Sequence, residues 1–309
     1  MSRKSKIGSQ IVVIVLLFIS AFNVHLVSQA VLSNSFAVQT GGTIRYASPP
    51  VDTDLFFGVS SYPRTLSGSY STAIIDDIIE EMDNYGLTIY RMSIYYTQSK
   101  TLRDSMVQYY LDHCNYDLIV CRHIYDPWAM PSQSYRDDSR DWLLDLFDTF
   151  NSYSDRLWGE PVNEWGSSSS HAQLLATWTQ ETVTAARTAG YTHRIVVNTG
   201  LTQGWNYLAN INDPLDRLYV GYQFYFNSWS VSSAQNQMQT ALNYGLNIIN
   251  TEIGADYNEA NAFDESEVEE VNTFMDWCAE RDIGNTVWMR YGLQNLPTYE
   301  ELELQFPSG

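Results

Sequence analysis

Eight short apolar runs alternate with eight amphipathic segments between residues 55 and 305, and this alternation limits the fold more than any other feature. Residues 55–59 have strand length, and 72–85 follow with Ile74, Ile75, Ile78, Ile79 and Met82 at helical spacing before a stop at Gly86. The same reading gives further strands at 87–94, 118–124, 156–160, 194–198, 218–225, 246–252 and 285–290. Helices fall between them at 101–114, 139–151, 171–189, 204–210, 233–244 and 265–280, with a last one at 299–305. Continuous apolar runs indicate strands covered on both faces, as in a parallel sheet. An open, doubly wound sheet would want a glycine-rich phosphate turn after its first strand, and Gly58-Val59-Ser60-Ser61 is not one. The expected fold is a closed (β/α)8 TIM barrel, a single α/β domain over 55–309.

The first 54 residues stand apart from this pattern. Arg3, Lys4 and Lys6 precede an apolar stretch from 11 to 22, and Ser28 and Ala30 supply small residues suited to cleavage. Residues 1–30 therefore read as a signal peptide, and 31–54 as a linker. The apolar stretch is shorter than the ~20 residues that span a bilayer. Retention as an N-terminal anchor is the alternative, because Val24, Leu26 and Val27 extend it. In either case the body of the protein is expected outside the cytoplasm, secreted or held at the membrane by that segment alone.

Composition narrows the partners. Removing residues 1–30 takes away three of 17 basic residues and none of 36 acidic ones, leaving 14 against 36, a net charge of −22. Such a charge repels nucleic acid and anionic lipid. Lys100 is then the one lysine, and an acidic, lysine-poor surface suits either a salt-adapted protein or simply an acidic secreted enzyme. Three cysteines, Cys114, Cys121 and Cys278, cannot all pair within one chain and are expected as buried free thiols. No metal-ligand spacing occurs among the histidines and cysteines, so neither a metal nor a cofactor is expected. No stable protein partner is implied.

Two glutamates end strand-like runs: Glu160 in Trp158-Gly159-Glu160-Pro161 and Glu252 in Thr251-Glu252-Ile253-Gly254. A parallel barrel gathers its chemistry at the C-terminal ends of its strands. Two carboxyls facing each other there suit glycosidic cleavage. Glu164, in Val162-Asn163-Glu164-Trp165, offers another carboxyl close by, and Glu160 is preferred for its proline neighbour and strand position.

With these motifs the chain resembles the (β/α)8 retaining glycoside hydrolases of the two-glutamate clan, most nearly the cellulase-like glycoside hydrolase family 5. In that family the fourth strand ends in Asn-Glu-Pro, which implies Glu160 as general acid/base. The seventh strand ends in a Thr-Glu-aromatic-Gly type sequence, which implies Glu252 as nucleophile. The resemblance further implies Arg91 as support for the nucleophile, His123 as a cleft residue, Tyr225 as a hydrogen-bond donor to Glu252 and Trp288 as a floor for a sugar ring. It implies double displacement on a β-linked carbohydrate of the glucan or mannan type. Two departures stand out: Gly159 replaces the asparagine that holds the sugar 2-hydroxyl, and Gln223 replaces a histidine. Asn163 or Gln223 would have to supply the missing contact. A catalytically impaired carbohydrate-binding barrel and a transglycosylase on the same scaffold are the alternatives.

Overall fold

A computed structural model describes residues 56–64, 68–123, 131–166, 169–199, 204–226, 228–254 and 265–288. The leader, the linker, the last helix expected at 299–305 and the end of the last expected strand lie outside them. No helix among the described residues is long and apolar enough to cross a membrane.

Eight parallel strands close in sequence order, each hydrogen-bonded to its neighbours and the eighth to the first. They are β1 (Phe57–Ser61), β2 (Ile89–Tyr95), β3 (Asp117–His123), β4 (Leu157–Glu160), β5 (Arg194–Asn198), β6 (Leu218–Tyr225), β7 (Ile248–Gly254) and β8 (Gly284–Trp288). Among the described residues seven α-helices cover the barrel: α1 (Thr72–Tyr85), α2 (Lys100–His113), α3 (Gln133–Thr149), α4 (Ser169–Thr188), α5 (Trp205–Leu208), α6 (Val231–Asn243) and α7 (Glu265–Ala279). The chain is therefore an α/β TIM barrel.

Local chemistry starts and stops these helices. Ser71, Ser99, Ser132 and Ser230 cap α1, α2, α3 and α6, each side chain accepting a backbone N–H of the first turn. Gly86 ends α1 at φ 65°, a left-handed conformation that glycine adopts without steric cost, and its N–H bonds Met82 O.

The barrel interior has two levels. Ile89, Ile119, Trp158, Val196 and Ile249 form an apolar plug near the N-terminal ends of the strands. Toward the C-terminal ends the interior turns polar, with Ser60, Arg91, Cys121, Glu160 and Glu252 all buried. All three cysteines are free and buried. A larger apolar layer between strands and helices forms the main core.

Strand alternation explains how Glu160 and Glu252 reach this polar level. On β4, Trp158 points inward, so Glu160 does too and Gly159 points out. A Cβ on Gly159 would lie 2.2 Å from Leu143 Cδ1 and 2.8 Å from Phe147 Cε1, both on α3. Packing of helix on strand thus fixes glycine at 159, a position that never faces the cleft. On β7, Ile249 points inward, and strict alternation would send Glu252 outward. The ladder shifts here: Tyr222 pairs with Asn250 and Gln223 with Glu252, leaving Thr251 as an extra residue. That bulge turns Glu252 into the barrel.

Candidate active site

Arg91 on β2 is the hub of the site. Its Nε and Nη2 bond both oxygens of Glu160, at 2.6 and 2.7 Å, in a bidentate pair. Nη1 donates to Glu252 Oε1 at 2.6 Å and to Ser60 Oγ at 3.0 Å. Nη2 reaches Asn163 Oδ1 at 2.8 Å and Cys121 Sγ at 3.0 Å. Each guanidinium nitrogen therefore has acceptors, and the whole side chain is buried. One cation so placed holds two carboxyls from opposite sides of the barrel.

The three carboxyls occupy different surroundings. Glu160, expected as the acid/base, has no exposed surface, and both its oxygens are engaged by Arg91. A general acid must present an oxygen to the leaving group, and this carboxyl presents none. Glu252 is 5% exposed; one oxygen accepts from Arg91 and the other from Tyr225 OH at 2.5 Å. Burial pushes its carboxyl up, while the Arg91 charge and the Tyr225 hydrogen bond act against that. Two donors on its two oxygens suit the ionised form.

Glu164 lies past the end of β4, in an irregular turn, at φ 52°. A non-glycine residue in the left-handed region is uncommon and marks a backbone held by its surroundings. Buried Val162 and Trp165 pin the turn on either side, Trp165 packing against Trp178 with ring centroids 4.8 Å apart. Burial, then the charge of Glu252, raises the Glu164 carboxyl to about 8. It is thus neutral around pH 7.

Asn163 and Gln223 meet beside these groups. Gln223 Nε2 donates to Asn163 Oδ1 at 2.9 Å, and Asn163 Nδ2 donates to Glu164 Oε2 at 3.4 Å. Asn163, directly before Glu164, thus links Arg91, Gln223 and Glu164 in one hydrogen-bonded group. Asn163-Glu164 is an Asn-Glu pair placed just past the end of β4.

Aromatic side chains border the mouth. His123 Nδ1 and Tyr62 OH are 2.9 Å apart, and the Tyr62 ring stacks on Tyr95 at 4.8 Å and meets Trp288 edge-on at 5.4 Å. His123, Tyr225 and Trp288 are each half-buried at strand ends, open enough to meet a ligand. Trp165, next to Glu164, is fully buried core. Ser60, Cys121 and Tyr62 were not singled out in the sequence; the polar Ser60-Ser61-Tyr62 end of an otherwise apolar strand was the available signal. Among the described residues no group of three or more His, Cys, Asp or Glu is placed to hold a metal ion.

Carboxyls gathered around a buried arginine at the C-terminal mouth of a parallel barrel define a class, the (β/α)8 glycoside hydrolases. The chain belongs to the cellulase family, glycosyl hydrolase family 5, whose model matches residues 54–292. The fold is shared with a β-mannanase from Thermomonospora fusca (TM-score 0.62, 19% identity, 82% of this chain and 90% of that one). It is likewise shared with the mannanase catalytic domain from Streptomyces sp. SirexAA-E (0.60, 17%, 82% and 85%). An endo-β-1,4-glucanase from Xanthomonas axonopodis pv. citri is similar as well (0.59, 15%, 79% and 91%). No curated protein matches the sequence significantly.

Proposed function

We propose that this protein is a secreted, retaining β-glycanase acting on β-glucan or β-mannan, with Glu252 as nucleophile and Glu164 as general acid/base. The observation that carries this reading is the contrast between the two carboxyls. Glu252 takes two strong donors, and Glu164 is held neutral up to about pH 8. That division of states is what double displacement needs at the start.

In the first step a Glu252 oxygen attacks the anomeric carbon as the glycosidic bond breaks, and Glu164 gives its proton to the departing oxygen. A covalent glycosyl ester remains on Glu252. Glu164, now a carboxylate, takes a proton from water; the water oxygen attacks the same carbon, releasing the sugar and restoring both residues. Arg91 and Tyr225 orient Glu252, and Glu160 balances the charge of Arg91. Asn163, retained in this chain, removes the main motive for a binding-only barrel. The leader-like residues 1–30 support secretion, and the mannanase and endoglucanase folds support the substrate class.

The test is reducing-sugar release from β-glucans and β-mannans by wild type, Glu252→Gln and Glu164→Gln. Hydrolysis by wild type, lost in both variants, is the expected result. Equal activity in Glu164→Gln and wild type would remove Glu164 from the mechanism.

A further inference from the structure

The extra residue that turns Glu252 into the barrel is tied down from three strands. β7 runs one residue long against both neighbours. Asn250 to Glu252 matches a single step of β6, from Tyr222 to Gln223, and Asn250 to Ile253 matches Asn285 to Val287 on β8. Bulges are uncommon between parallel strands, and each takes a residue out of the ladder, so its polar groups need other partners.

Thr251 finds those partners. Its Oγ1 accepts from Asn198 Nδ2 of β5 at 2.9 Å and donates to Tyr222 O of β6 at 3.2 Å. Its carbonyl accepts from Thr286 Oγ1 of β8 at 2.5 Å, a hydroxyl that lies farther, 3.4 Å, from Asn250 O. The protons can be counted. Thr251 has one hydroxyl proton and Tyr222 O can only accept it, so Asn198 must face Thr251 with its NH2. Asn198, Thr251 and Thr286 are all fully buried. Val196 belongs to the apolar plug, so Asn198, two residues further along β5, points into the barrel as well. The Asn198–Thr251 bond thus sits between the plug and the polar level, one residue before Glu252.

We infer that Asn198 and Thr286 are positioning residues for Glu252. Asn198 fixes the side chain of Thr251, and Thr286 fixes its carbonyl. That carbonyl shares a rigid peptide plane with the Glu252 nitrogen, so holding it sets the direction in which the Glu252 side chain leaves the strand. This inference rests on the reading of Glu252 as nucleophile. A reacting group misplaced by about 1 Å can cost about 10²-fold in rate, and the loss falls on kcat where the binding contacts are untouched.

The test compares wild type with Asn198→Leu, Thr251→Val, Thr286→Val and the double variant Asn198→Leu/Thr251→Val on dinitrophenyl β-cellobioside and β-mannobioside. Dinitrophenolate departs without needing a proton, so these substrates report the nucleophile rather than the acid. Each single variant should lose on the order of 10²-fold in kcat with KM within about 3-fold of wild type. Thr251→Ser and Thr286→Ser keep the hydroxyl and should stay within about 3-fold of wild type in both. The double variant removes both partners of one bond and strands neither, so it should regain the Tm that the single variants lose, but not their kcat.

A double variant whose kcat returned with its Tm would show that the bond serves folding alone, and would overturn the inference. So would a loss that fell on KM, or serine variants as slow as the valine ones. If the single variants fail to fold, the double variant carries the comparison. Should wild type hydrolyse neither glycoside, the hydrolase reading fails on its own. Crystal structures then decide: the Glu252 carboxyl should leave Arg91 and Tyr225 in the double variant, and a carboxyl still bonded to both overturns the inference.

Discussion

Glu160 and Glu164 are four residues apart and meet different surroundings, because one ends β4 inside the barrel and the other lies past the end of that strand. Glu160 belongs to the strand's inward series with Trp158, and its depth sets both its oxygens against Arg91. Removing a partner from a buried ion-pair network costs about 3–5 kcal/mol at most, and here Arg91 keeps Glu252 while losing its bidentate partner. Glu160→Gln should therefore lower Tm by roughly 10 °C in thermal unfolding, since about 1 kcal/mol moves a domain of this size by a few degrees. Glu164→Gln should leave Tm at neutral pH nearly unchanged, because the native side chain is already neutral there. It should lower kcat on polysaccharide by about 10²–10⁴-fold, the usual worth of a general acid. If instead Glu160→Gln kept full stability and lost activity, the roles would be reversed.

The same residue sets a pH limit. On the proposed mechanism the acid form of Glu164 is the active one, so kcat/KM should fall as pH rises through about 8. Stability shares that sign. The folded pKa lies above the 4.5 of an ordinary glutamate, so the folded state binds the proton more tightly. Stability tied to this group is full below about 4.5 and is lost as pH climbs through about 8. Glu164→Gln should consequently unfold at a higher temperature than wild type at pH 9. A wild type that unfolds no earlier than the variant there would show that Glu164 is not buried as a neutral acid.

At the scale of elements, alternation of strand and helix was legible because each apolar run is buried on both faces. Three places were harder, each for a physical reason. Helix α3 begins at Gln133, six residues before its sequence estimate, because its inner face starts with Arg136 and Ser139 before Leu143, Leu146 and Phe147. The spacing is helical but the first buried positions are polar. Ser132→Ala should cost this helix about 1 kcal/mol, read as a shift in the denaturant midpoint. The outward direction of Gly159 was hidden too, since glycine carries no side chain to reveal a face. The sequence therefore took a packing glycine for a missing sugar contact. Gly159→Asn should destabilise the fold by at least about 1–3 kcal/mol through overpacking against Leu143 and Phe147, without raising activity. A gain in kcat would contradict its outward placement. Finally, the bulge at Thr251 leaves no mark in a hydrophobic pattern; Glu252 was found by motif, and only the ladder shows why it points inward.

For the whole molecule, charge is the dominant remaining term. Thirty-six acidic residues face 17 basic ones, a formal net charge of −19 for the full sequence. Self-repulsion of this kind opposes the compact state and acts mainly between exposed groups, which salt screens. The screening length falls from about 10 Å at 0.1 M to about 3 Å at 1 M. The Arg91 pairs are buried, out of reach of counter-ions, and a neutral glycan carries no charge to be repelled. Stability and catalysis should therefore respond differently to salt. Tm should climb between 0.05 and 2 M NaCl, while kcat/KM on a neutral β-glucan or β-mannan, measured well below Tm, stays within about 2-fold. A Tm indifferent to salt would show that the acidic residues are spaced widely enough for repulsion not to matter. A kcat/KM that rose with salt while Tm stayed flat would place the relevant charge on the substrate, and would favour an anionic glycan over a neutral one.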